Sequence, residues 1–216
     1  MNPYFITTAI PYVNATPHIG FALELILADV IARHQRQRGR DVRFLTGTDE
    51  NSLKNVRAAE AAGIPTATLV EQNAAAFASL RDTLDLSFDD FIRTSADPRH
   101  RAGVETLWKA CRERGDIERR TYRGLYCVGC EQFYTEDELD DGACREHGTP
   151  AEVVEEENDF FLLSRYEAQL LELLESGALK VTPAHYRNEV LALVRSGLVD
   201  FSISRSSSRA RGWGFG

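Results

Sequence analysis

Residues 4–30, YFITTAIPYVNATPHIGFALELILADV, open on a β-branched and aromatic run and close on an apolar one. Tyr4 to Ala9 has the composition of a strand buried on both faces. Pro11 to Thr16 is rich in turn formers, with Asn14 and Thr16 as turn and cap residues. From Pro17-His18-Ile19-Gly20 the chain enters Phe21 to Ala32, apolar nearly all round, which predicts a helix sunk in a core. Strand, tight turn and buried helix form the first half of a nucleotide-binding βαβ unit. The start of such a helix leaves backbone N–H groups unpaired and partly positive, ready for an anion. Gly20 removes a side chain where a ligand must approach the backbone, and His18 brings a donor to the same mouth. The competing assignment is a packing glycine and a surface histidine at a helix start.

Outward from this stretch, Arg33, His34, Arg36 and Arg38 suit a helix C-terminus, and Gly39 supplies the stop. Val42 to Thr46 is a second strand, which makes the pair parallel. At its end lies Gly47-Thr48-Asp49-Glu50-Asn51-Ser52. Ligands of open α/β sheets bind outside the carboxyl ends of the strands, so Asp49 is expected to face the crevice of His18 and Gly20. A carboxylate there can hold an ammonium group or a ribose hydroxyl; alternatively Asp49 caps the helix that follows from Leu53. Residues 53–84 predict two helices broken at Gly63-Ile64-Pro65, with Thr66 or Thr68 as cap. Asp89 to Arg93 is a third strand, and Thr94-Ser95 is expected to cap a helix over 97–114. The Asp89-Asp90 pair is assigned to a solvated edge rather than to a metal.

The formal net charge of -8 argues against a free-standing nucleic-acid grip by bulk electrostatics. No apolar run is long enough to span a bilayer and no signal core follows the N-terminus, so no membrane partner and a cytoplasmic location are expected. Four cysteines among 216 residues do not make a secreted disulfide framework. Their spacing says metal. Cys127-x2-Cys130-x13-Cys144-x2-His147 offers three thiolates and an imidazole on two tight turns, the donor set of a closed tetrahedral zinc site. Four protein ligands leave no open position, so the zinc is expected to be structural. Gly129 and Gly148 free the backbone to curl, while Cys111, on the preceding helix, is expected in the core.

Thr8-Ala9-Ile10-Pro11-Tyr12-Val13-Asn14-Ala15, Pro17-His18-Ile19-Gly20 and Leu45-Thr46-Gly47-Thr48-Asp49-Glu50 together resemble the amino-terminal half of the methionyl-tRNA synthetases, a class I aminoacyl-tRNA synthetase family. The resemblance continues through Gly124 to Thr135, similar to the family's connective-peptide insertion in its single-zinc subtype, and through His185 to Val190 and Asp200 to Arg205. It implies an α/β fold: the first half of a Rossmann-type parallel sheet with a zinc-binding connective-peptide insertion. The implied divisions are 1–115 for the first half of the catalytic domain, 116–183 for the insertion and 184–216 for the return segment. By resemblance Ile10 and Tyr12 border the methionine side chain, Asp49 binds its α-amino group, and His18 and Gly20 bind ATP, with His18 also catalytic. The partners implied are Mg-ATP, methionine or a related amino acid, and tRNA for the complete protein.

Two departures fall inside these motifs. Phe21 stands where the family's His-Ile-Gly-His motif has its second histidine, and Asn51-Ser52 replace its His-Gly. Losing a donor that neutralises charge on the phosphates costs on the order of 3 kcal/mol of transition-state stabilisation, so Phe21 is expected to weaken catalysis but not ATP binding. No Lys-Met-Ser-Lys-Ser string occurs. The second half of the sheet and the anticodon-binding domain are also absent, so the chain alone is expected not to charge tRNA. The alternatives are a synthetase-like paralogue that passes its amino acid to another acceptor and a non-catalytic zinc-bearing binding module.

Overall fold

The computed structural model describes residues 3–130, 132–207 and 210–214, with the side chain of Tyr122 left aside. Glu131, within the stretch similar to the connective peptide, and Phe215 and Gly216 lie outside the described residues. Two sheets organise the rest. The first is parallel, in the order β1 (Pro3–Thr7), β2 (Asp41–Thr48), β3 (Asp90–Arg93). Parallel neighbours need long crossovers. Here α1 (Ile19–Gln37) links β1 to β2, while α2 (Leu53–Ala62) and α3 (Thr66–Thr83) link β2 to β3. α4 (Pro98–Glu113) then leads to an antiparallel sheet ordered β5 (Gln132–Tyr134), β4 (Ile117–Cys127), β6 (Glu152–Phe161), β7 (Phe201–Ser202). Between β6 and β7, α5 (Glu167–Ser176) and α6 (Ala184–Arg195) pack around Leu174, Leu191 and Val194.

The α1 helix is not sunk in a core. Phe21, Leu25, Ala28 and Ala32, spaced by four, three and four, form one buried stripe against Phe44, Val70, Phe77 and Phe88. Leu23, Leu27 and Val30 on its other side stay more than half exposed. A three-strand sheet with α3 has surface for one face of this helix, so apolar composition overstated its burial. Nor is β1 buried on both faces: it is an edge strand among the described residues, and Phe5 is 65% exposed.

Several caps fall on other residues than expected, and the displaced Thr94 and Ser95 hydroxyls bond Glu50 instead. The side chain of Asp97, not Thr94 or Ser95, accepts the Arg99 N–H and caps α4. Pro65 occupies the cap position of α3, with Thr66 already inside the helix. His18 rather than Thr16 caps α1. Cys111 is half-buried rather than core, for α4 has no buried residue.

The charged strips are accounted for by ion pairs. Asp89 accepts the Phe44 N–H (2.7 Å) and pairs with Arg36 (2.9 Å). Asp90 pairs with Arg99 and Arg43, which hold its carboxyl below the usual range. On the acidic strand β6, Glu157 meets Arg119 (3.0 Å) and Glu155 meets Arg123 (3.9 Å) across from β4. These are solvated strand faces. No helix of the described residues is long and apolar enough to cross a membrane.

Candidate functional site

The loops that leave β1 and β2 at their carboxyl ends touch. Asp49 donates its N–H to the Pro11 carbonyl (2.8 Å), and Tyr12 and Asp49 form a parallel bridge that extends the β1–β2 pairing. Thr8 and Thr46 share a hydroxyl–hydroxyl bond of 2.7 Å just below. From α1, Glu24 accepts the Ala9 N–H at 2.7 Å and ties the helix to the exit of β1. The crevice is therefore bounded by Ala9 to Tyr12 on one side and by Asp49 on the other. Ile10 lies at its rim, 36% exposed, and Tyr12 is half-buried with the Lys54 ammonium 4.8 Å over its ring.

At the start of α1, His18 folds back on its own helix. Its Nδ1 accepts the Gly20 N–H at 3.1 Å, so the neutral ring carries its proton on Nε2 and presents a donor there. A Cβ on residue 20 would sit 2.9 Å from the imidazole Cε1, so Gly20 is what lets the ring cap the helix. The cap and the donor are one residue in two functions. Phe21 is buried edge-on against Phe77 at 5.1 Å between ring centres.

Asp49 does not cap α2. Ser52 does, accepting the Lys54 N–H at 3.0 Å. One Asp49 carboxylate oxygen accepts the Asn51 N–H at 3.3 Å, and the Asn51 amide donates to the Thr94 carbonyl at 3.2 Å. The two residues that replace the family's His-Gly thus hold the loop. Glu50, between Asp49 and Asn51, is fully buried, with Arg93 Nε donating to its carboxylate at 2.7 Å. Its carbonyl accepts the indole N–H of Trp213 at 2.6 Å, and Arg211 pairs with Glu60 on α2, so residues 211–213 lie against the site loop. Glu24, Lys54 and Trp213 carried no signal in the sequence, because the partners through which they touch the site, Ala9, the Tyr12 ring and Glu50, lie 15 to 163 positions away.

The second candidate centre lies beyond β4. The donor atoms of Cys127, Cys130, Cys144 and His147 all lie within 4.8 Å of one another. Cys130 Sγ is 3.5 Å from Cys144 Sγ and 3.3 Å from His147 Nδ1, and Cys144 Sγ is 3.8 Å from that nitrogen. A tetrahedron with metal–sulfur bonds of about 2.3 Å has edges of about 3.5–3.8 Å. The cluster fits that frame. The thiols share protons unevenly: hydrogen bonds with His147 pull Cys144 down to about 6. At Cys130 the lowering by the Tyr134 hydroxyl is outweighed by burial and by the neighbouring thiols, and it is pushed up to about 12. A Cβ on residue 129 would lie 2.6 Å from the His147 ring, so Gly129 serves close approach, whereas Gly148 turns the chain at a φ of +62°.

A parallel sheet whose loops meet at the carboxyl ends of its strands is the place where open α/β folds bind ligands. The family described as "tRNA synthetases class I (M)" matches residues 4–149 and 135–216, and the chain belongs to it. It is 47% identical over 211 residues to the methionine–tRNA ligase of Mycobacterium bovis, covering 96% of this chain and 40% of that protein. With the Brucella suis methionine–tRNA ligase it shares 46% over 208 residues, 94% of this chain and 40% of the other. Mycobacterium tuberculosis methionyl-tRNA synthetase in complex with methionyl-adenylate superposes with a TM-score of 0.90 at 46% identity, over 96% of this chain and 41% of that one. The apo form of that enzyme gives 0.77 at 41%, over 96% and 40%. The chain thus spans about two fifths of the length of these relatives.

Proposed function

We propose that this chain carries the ATP- and amino-acid-binding half of a methionine-activating site, within a methionine–tRNA ligase. In that reaction the methionine carboxylate attacks the α-phosphate of Mg-ATP, the bond to pyrophosphate breaks, and methionyl-adenylate forms. A hydroxyl of the terminal adenosine of tRNA then attacks the acyl carbon and releases AMP. Asp49 holds the α-ammonium, and Ile10 and Tyr12 border the side chain. Nε2–H of His18 meets the phosphates while its other nitrogen is engaged by Gly20. The open N-terminus of α1 adds its partial positive charge. Residues 1–115 form the first half of the catalytic domain, 116–183 the insertion and 184–216 the return segment. Cys127, Cys130, Cys144 and His147 hold a structural zinc, which supplies a crosslink and no reaction step. The compartment is the cytoplasm, where such thiols stay reduced.

The observation that carries this reading is the joining of Asp49 to the Pro11–Tyr12 turn at the ends of adjacent parallel strands. Catalysis of this kind is positioning and charge neutralisation, so half a site binds weakly and turns over negligibly. The test is ATP–pyrophosphate exchange. The chain alone should show none, and the chain complemented with the remaining three fifths of the M. bovis relative should show methionine-dependent exchange that Asp49→Ala abolishes. Robust exchange by the chain alone, or none after complementation, overturns the reading. Phe21 favours a second one, a paralogue serving another acceptor. Exchange driven by a different amino acid would select it.

A further inference from the structure

Glu50 has no part in the chemistry above, yet its backbone N–H, its carbonyl and both carboxylate oxygens are all hydrogen-bonded. Its side chain is wholly buried. Thr48 Oγ1 (2.8 Å) and Arg93 Nε (2.7 Å) donate to one carboxylate oxygen, and Ser95 Oγ and Arg93 Nη2 donate to the other. Its backbone N–H donates to Thr94 Oγ1 (2.7 Å), and its carbonyl accepts Asn55 Nδ2 (2.9 Å) and Trp213 Nε1 (2.6 Å). A buried carboxylate–guanidinium pair gains little net stability over apolar packing; what it supplies is one specified geometry. The residue so pinned directly precedes Asn51 and directly follows Asp49, whose own N–H is fastened to Pro11. Asp49 is therefore clamped from both sides: by the β1 turn on its amino side and, through Glu50, by the exit of β3 on its carboxyl side.

We propose that Glu50, anchored by Arg93 and Ser95, is a positioning residue that fixes the Asp49 carboxylate for the substrate ammonium group. The inference rests on the reading of Asp49 given above. A carboxylate recognising an ammonium must be held within about half an ångström of the productive place, and that tolerance is met by locking its neighbours rather than by the carboxylate itself. Thr94 and Ser95, whose hydroxyls would otherwise be free to cap α4, are both committed to Glu50. Arg93 reaches past it to Glu71 on α3 (2.6 Å), so the clamp is seated on two further elements.

The experiment is a pair of NMR titrations of the chain, following the amides of Tyr12, Asp49 and Asn51. One ligand is methionine; the other is 4-(methylthio)butanoate, which lacks only the amino group. Glu50→Gln should weaken methionine at least fivefold while the Kd of the amine-free acid stays within twofold. Ser95→Ala, which keeps the Arg93 pair intact and so guards against misfolding, should show the same pattern to a smaller degree. A merely structural role would weaken both ligands alike. Equal losses, or methionine affinity unchanged in both variants, overturn the positioning role alone. Absence of any methionine-dependent shift at Tyr12 and Asp49 in the unmutated chain overturns the reading of the site itself, and this inference with it.

Discussion

The half-sheet and the knuckle region reach order by different physics. Around β1 to β3, Val13, Phe21, Leu25, Phe44, Val70, Phe77, Leu86 and Phe88 form one continuous buried cluster. Between Cys127 and Pro150, Leu139 is the only described buried residue besides the candidate ligands Cys127 and Cys144. Apolar burial at about 25 cal/mol per Å² can hold the first region. It has little to act on in the second, where four donor atoms take the place of a core. The lesson is that one chain can hold a parallel half-sheet by packing while the element beside it has four metal-compatible donors in place of a core, and the two should fail independently.

The sharpest way to break the comparison is to withhold zinc from the Cys3His cluster. Structural zinc contributes roughly 10 kcal/mol or more to the folding of small metal domains. A chelator, or Cys144→Ser, should abolish hydrogen-exchange protection in residues 132–150 and leave that of β2 in place. Simultaneous loss in both would show a single cooperative unit instead. Next in size is Phe21→Ala, which empties a site against Phe77 and should cost the half-sheet about 3–5 kcal/mol in urea unfolding. Zinc affinity should be unchanged.

Acid should separate the regions as well. Zinc must displace a proton from every thiol that still carries one, and Cys130, high at about 12, carries one throughout the neutral range. Zinc affinity measured by competition should therefore fall at least about tenfold per pH unit, and more steeply below about 6 as Cys144 takes up its proton. The half-sheet should hold on longer. Burial alone would raise Asp29, but hydrogen bonds from Ser87 and Arg33 outweigh it and hold its carboxyl below the ordinary value. Its stabilisation is complete above the unfolded carboxylate range and is lost only as the pH falls through the lower folded value. Circular dichroism of the parallel sheet should accordingly outlast zinc binding on acid titration. The smallest effect expected is Ser52→Ala, which removes the α2 cap and should cost about 1 kcal/mol.

What was legible in the sequence was local. Strand and helix positions follow from runs and stops a few residues long, and Cys127, Cys130, Cys144 and His147 declare themselves because each turn of two intervening residues places two donors together. The places of Asp49 at a strand end and His18 at a helix start were legible because strand ends and helix starts are themselves local features. The identity of the caps was less so, since Thr94 and Ser95 look like caps until Glu50 is seen to take them.

The amino-acid sequence by itself determined the order of elements, the crevice between two strand ends and the metal-donor set. Only the tertiary structure decided which stripe of α1 is covered, that Phe21 packs on Phe77, and that Glu50 is locked by Arg93 and Trp213. The physical reason is range. Backbone preference and donor spacing act over a few bonds, whereas burial and the pairing of buried charge depend on what the chain brings back from 43 and 163 residues away.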